Sequence, residues 1–141
     1  MKRILVGVDG SKESRDAAVF AANIAKATHA QLYIVSAVPG VSPLDWGPEM
    51  VSRAQEWTQK ERDQARTTVD QMAASLGSGV KIETLVAFGA PAVALSELAK
   101  EGDVELVVVG HRGRNAVARA LLGSVADRLV QICPKPVLVV R

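Results

Sequence analysis

Val104-Glu105-Leu106-Val107-Val108-Val109-Gly110-His111-Arg112-Gly113, then nine residues, then Gly123-Ser124-Val125, is the stretch from which the rest of this chain can be read. The apolar run Leu106–Val109 stops at a glycine, and Ser124 opens a helical pattern. Together they spell a strand, a glycine-bearing loop and a fresh helix N-terminus. A helix start presents unpaired backbone N–H groups and the positive end of the dipole. Glycine lets a bulky anion come close to the backbone, so the stretch reads as a phosphate site.

Working outward, the same alternation runs along the whole chain. Apolar runs predict strands at Ile4–Val8, Gln31–Val38, Val80–Ala87, Val104–Val109 and Val137–Val140. Between the first two, Ser11 caps a segment with Ala17, Ala21, Ile24, Ala25 and Thr28 on one face, which is a helical period. A long polar helix is expected from about Glu49 to Leu76, with Ala65, Val69, Met72, Ala73 and Leu76 inward, ended by Gly77-Ser78-Gly79. Gly89-Ala90-Pro91 starts a short helix with proline at its tolerated first position, and Val125–Ile132 forms another before Pro134. Strands alternating with helices make an α/β fold: a parallel sheet with helices on both faces. Five strands do not close a barrel, so the sheet is open and doubly wound. Such sheets bind ligands beyond the strands' carboxyl ends, where the winding reverses. The loops Val8-Asp9-Gly10-Ser11 and Gly110–Gly113 form one crevice if the first and fourth strands are neighbours, an adjacency that right-handed crossovers favour.

Composition narrows the function. The 141 residues are expected to form one domain, 1–141, burying roughly two thirds of the unfolded surface. A net charge of +2, with no clustered basic stripe, argues against nucleic acid, and 4% aromatic content is too low for a base-stacking platform. Cys133 is the only cysteine, so no intramolecular disulfide forms; a reducing, cytoplasmic setting is expected, with Cys133 an inert thiol. Met1-Lys2-Arg3 leads at once to Gly7 and Asp9, unlike a signal peptide, and no apolar run reaches the length of a membrane span.

Ser124-Val125-Ala126-Asp127 matches a capping box. Ser124 then either caps its own helix alone or, with Gly123 before it and Gly110 and Gly113 upstream, joins an anion seat with the Gly123 and Val125 N–H groups. Arg112, Arg114 and Arg119 either add charge to that seat or stay solvated. Walker A fails because no lysine precedes Ser124, and Gly7-Val8-Asp9-Gly10 stops short of the dinucleotide fingerprint. Asp9 either stabilises its turn or meets a ribose hydroxyl or a metal ion on the phosphates. His111 reads as a solvent-facing loop residue without ligand-spaced partners, and His29 as a complement to the first helix's dipole. Trp46 and Trp57 share a stripe and read as packing or lid residues. No nucleophile–base pair stands out, so no catalytic residue is assigned, and no protein metal site is expected.

With these motifs in place, the chain resembles the universal stress proteins, in the subgroup that binds ATP. Ile4 through Ser11, Gly89-Ala90-Pro91, Val104–Gly110, Gly110-x2-Gly113-x9-Gly123-Ser124 and Pro134–Val140 carry the resemblance over nearly the whole length. It implies a Rossmann-like, adenine nucleotide alpha hydrolase-like sheet of order 3-2-1-4-5. It also implies that Gly7 floors the site, Asp9 meets the ribose or adenine side, and Ala37 offers its backbone to adenine. Gly110, His111, Arg112, Gly113 and Arg114 would wrap the ribose and α-phosphate; Gly123, Ser124 and Val125 would hold the outer phosphates. The implied ligand is ATP, with ADP, AMP or cyclic AMP as alternatives, and any Mg²⁺ is held mainly by phosphates, with Asp9 a candidate ligand. His111-Arg112 stands where smaller residues are common, Arg114-Asn115-Ala116 replaces a frequently glycine-rich run, and Glu105 a common aspartate.

The apolar end strand Val137–Val140 independently suits a sheet edge that pairs with another chain, and the family dimerises through it. A two-fold homodimer is therefore expected. Three functions fit: a nucleotide-dependent sensor or regulator of the stress response, a slow Mg-dependent ATPase, or a nucleotide-free dimeric scaffold. The intact Gly113 and Gly123 favour the first two over the third.

Overall fold

The computed structural model describes residues 1–39, 47–113 and 122–141. In chain order the elements are β1 (Arg3–Gly7), α1 (Lys12–Thr28), β2 (Gln31–Val38), α2 (Pro48–Ser75), β3 (Ile82–Phe88), α3 (Pro91–Lys100), β4 (Val104–Gly110), α4 (Ser124–Ile132) and β5 (Val137–Val140). The strands form one sheet of order β3-β2-β1-β4-β5, with every pairing parallel. Winding reverses at β1, which lies between β2 and β4, with Val6 opposite Ile34 on one side and Val108 on the other. The expected open, doubly wound sheet and its order are present.

Side-chain alternation divides the interior into two layers. Ile4, Val6, Leu32, Ile34 and Val108 face α1 and α2, where Ala17, Ala18, Ala21, Ala25, Val69 and Met72 meet them. Leu5, Val35, Val107 and Val109 face α3 and α4 and pack on Ala92, Leu95, Ala99, Ala126 and Leu129. The consecutive residues Ile4, Leu5 and Val6 of β1 are therefore all buried, as a parallel strand covered on both faces requires. The alanines of α1 let that helix lie close against the strands.

Local signals explain the ends of the elements. Ser11 Oγ accepts the Ser14 N–H at 3.2 Å and caps α1. Gly10 takes φ +84 in the turn before it, a conformation that side-chain-bearing residues avoid. At the far end of α1, His29 does more than complement a dipole: it adopts the left-handed C-cap conformation, and its N–H bonds the Ala25 carbonyl. Pro91 opens α3 as expected.

Some boundaries move. β1 starts and stops one residue before the expected Ile4–Val8, and β3 covers Ile82–Phe88 rather than Val80–Ala87. Gly79 has a positive φ, which keeps the chain in a turn up to that point. Pro39–Pro43, apart from Pro39, and Trp46 lie outside the described residues. Trp57 is 45% exposed on α2. β5 is the edge strand the sequence suggested, with β3 at the opposite edge.

Candidate functional site

Because β1 and β4 are neighbours, the loops that follow them meet above the sheet. A crevice of about 550 Å3, part of it open to solvent, lies between these loops and the starts of α3 and α4. Gly7, Asp9, Ala37, Gly110, Arg112, Gly113, Gly123 and Val125 all line it. His111 lies in the same loop as Gly110 and Arg112, and Ser124 sits exposed on the first turn of α4. Arg114, Arg119 and the Arg114-Asn115-Ala116 run lie outside the described residues.

The signature glycines are required for space. Gly110, Gly113 and Gly123 all have ordinary φ values, absent from the positive-φ set. A β-carbon on Gly110 would come within 2.8 Å of the Glu13 backbone, so the end of β4 rests directly on α1. On Gly113 it would meet Asp9 Oδ2 at 2.8 Å, and on Gly123 the Arg112 Cα at 2.9 Å and the His111 carbonyl oxygen at 3.0 Å. Gly7 meets Leu95 in the same way, at 2.7 Å. The loop after β4 is thus pressed between Asp9 and Gly123, and the Gly123 N–H fastens it by donating to the His111 carbonyl at 2.6 Å.

Asp9 serves its turn: Oδ1 accepts the Ser11 N–H at 2.9 Å, while the Asp9 N–H donates to Ser14 Oγ at 3.2 Å. Oδ2 is the oxygen nearest Gly113. The residue therefore both holds the β1–α1 turn and borders the crevice.

The capping box does not form. Gly123 is the N-cap, at φ −65 and ψ 157, and Ser124 is the first helical residue, without a side-chain cap bond. Glycine takes the cap because its N–H is already committed to His111 and its carbonyl accepts the Asp127 N–H at 2.9 Å. This shift frees the Ser124 hydroxyl from capping. It also leaves the Ser124, Val125 and Ala126 N–H groups, at the start of a nine-residue helix, without intrahelical acceptors. The helix dipole makes that corner attractive to an anion.

Two buried nitrogens stand out in the loop itself. His111 Nδ1 and Arg112 Nε are both shut off from solvent and have no hydrogen-bond partner among the described residues. His111 is thus not simply solvent-facing. Leaving a buried polar group unpaired costs about 1–3 kcal/mol, and more when it is charged. Among the described residues no three His, Cys, Asp or Glu side chains cluster as a metal centre, and no helix is long and apolar enough to cross a membrane.

Sequence reading missed the opposite wall, where Val35, Pro91, Leu95 and Val109 make an apolar surface. A planar ring suits such a surface, whereas the α4 corner suits charge. Only Pro91 carried a local signal, as the first residue of α3; the rest are core positions whose ends happen to reach the crevice.

A family model for the universal stress protein family matches residues 1–141. The chain belongs to that family. A universal stress protein of Methanocaldococcus jannaschii is 38% identical over 144 residues, spanning 99% of this chain and 82% of that one. Among solved structures, a universal stress protein from Lactobacillus plantarum gives a TM-score of 0.83 at 27% identity, covering 99% of this chain and 97% of that chain. Another universal stress protein, solved in complex with cAMP, gives 0.68 at 31% identity, with coverages of 99% and 96%.

The steric contacts separate two glycine variants. Gly110→Ala forces β4 off the α1 backbone and is expected to destabilise the fold by about 1–3 kcal/mol in urea unfolding. Gly123→Val instead displaces the Arg112 loop, so it is expected to abolish ligand binding with a smaller loss of stability. Equal stability of Gly110→Ala and the parent would contradict the packing account.

Proposed function

We propose that this chain is an ATP-binding universal stress protein, acting as a nucleotide-dependent sensor or regulator in the stress response. The observation that carries the reading is the buried pair His111 Nδ1 and Arg112 Nε, without a hydrogen-bond partner among the described residues, beside the open N–H groups of α4. Polar groups buried without protein partners are satisfied by a ligand with acceptor oxygens, and phosphate is the acceptor that a helix N-terminus favours. The apolar wall of Val35, Leu95 and Val109 supplies the complementary seat for a base. A relative at 31% identity whose structure contains cAMP supports an adenine nucleotide.

In this reading Ala37 presents its backbone to the adenine, and Gly7 floors the crevice. Asp9 borders the ribose, Gly110 through Arg114 wrap the ribose and α-phosphate, and Ser124 and Val125 hold the outer phosphates beside Gly123, whose N–H is committed to His111 and which gives them room. ADP, AMP and cyclic AMP compete for the same seat. Mg²⁺ arrives on the phosphates, with Asp9 beside it. The setting is cytoplasmic, in keeping with a lone cysteine. The chain also forms a two-fold homodimer through the free edge of β5, whose Val137, Leu138, Val139 and Val140 are only half-buried in the single chain.

Arg112→Lys keeps the charge and removes the Nε–H. Isothermal titration is expected to show about tenfold weaker binding of ATP and AMP, the worth of one charge-assisted hydrogen bond, with adenosine unchanged. Equal losses for adenosine and ATP would make Arg112 a loop-shaping residue only, and no heat with any adenine nucleotide would overturn the reading. For the dimer, sedimentation equilibrium is expected to give twice the chain mass; a monomer at micromolar concentration would contradict it.

A further inference from the structure

The crevice has two places where a phosphate could be met, and the chain furnishes them unequally. The first is the loop after β4. Arg112 lines the crevice, its Nε is shut off from solvent, and among the described residues it has neither a hydrogen-bond nor an ion-pair partner. A guanidinium N–H buried in that way calls for an anionic acceptor. The residue before it is fixed at both backbone groups. The His111 N–H donates to the Val140 carbonyl at 2.8 Å, and its carbonyl accepts the Gly123 N–H at 2.6 Å. Arg112 therefore leaves the backbone from an anchored point.

The second place is the first turn of α4, where outer phosphates would lie. Of the groups that turn could offer, the Gly123 N–H is already spent on His111. Ser124 is exposed and does not line the crevice. Asp127 puts a negative charge in the same turn and takes up part of the dipole's attraction. Val125 and Ala126 remain as the part of that turn that faces the crevice.

The balance of charge leads the same way. The described lining contains one cation, Arg112, and one carboxylate, Asp9. A single phosphate matches one guanidinium. Each further phosphate adds negative charge with no second cation among the described lining residues, and contacts made in open solvent are screened. We infer that this site reads one phosphate, the one attached to the ribose, and that a nucleoside monophosphate satisfies it as fully as a triphosphate. The inference rests on the nucleotide reading above and narrows its ligand class. Such a site responds to the mononucleotide and is blind to the loss of the outer phosphates.

Isothermal titration of the full chain with adenosine, AMP and ATP, with and without Mg²⁺, tests this together with ³¹P NMR of bound ATP. AMP is expected to bind about tenfold tighter than adenosine or more, the worth of a charge-assisted hydrogen bond, and ATP within about threefold of AMP. In the ³¹P spectrum the α-phosphorus is expected to shift and broaden most, and the γ-phosphorus least. ATP binding about tenfold tighter than AMP, or a γ-phosphorus that shifts most, overturns the inference and leaves the nucleotide reading standing. A seat built by Arg114 or Arg119, which lie outside the described residues, would give that result. Adenosine binding as tightly as AMP also overturns it, since no phosphate would then be read. Failure of all three to bind removes the nucleotide reading and the inference with it.

Discussion

Parallel pairing of β1 with β4, with Val6 beside Val108, places the loops that follow these two strands side by side above the sheet. Everything at that edge follows from the pairing. Asp9 ends one loop and Gly113 the other, and no β-carbon fits between them. Gly110 rests on the backbone of α1, which fixes how far β4 can rise before its chain turns into the loop. Gly123 then closes the arrangement from the α4 side by bonding His111. The helix N-terminus is held at the lip of the crevice by these contacts, without any side-chain cap.

That packing changes what the glycine signature means physically. Glycine at a phosphate loop is often explained by its freedom to take positive φ, yet none of these three needs it. Gly110 and Gly123 are glycines because backbone lies against backbone there, and Gly113 because the Asp9 carboxylate lies against it. In the proposed function a ligand would benefit indirectly: a loop pressed flat holds Arg112 and the α4 amides in place before anything binds, and preorganised donors lose less entropy on binding.

Much of the fold was legible because buried parallel strands leave unbroken apolar runs, such as Ile4-Leu5-Val6 and Val107-Val108-Val109, which punctuation by glycine and proline delimits. Strand ends were less legible, since Val8 is apolar but follows the end of β1, and Val80 is apolar but precedes the start of β3. The signature glycines and Asp9 could be found from spacing alone. Ser124 was misplaced by one position because a Ser-x-x-Asp pattern cannot reveal that Gly123 already has a tertiary partner in His111. The apolar wall was out of reach for another reason. It is assembled from residues far apart in sequence, on elements whose own patterns look like ordinary core.

In the proposed function the nucleotide has one location: between the Asp9 turn and the α4 N-terminus, over the ends of β1 and β4. Backbone amide NMR of the isotopically labelled protein during an ATP titration tests it most directly. The largest shifts are expected at Gly113, Gly123 and Val125, with Gly10 affected less and the far ends of α1 and β3 unmoved. Saturable shifts centred elsewhere, with the Gly113 and Gly123 amides unchanged, would contradict it.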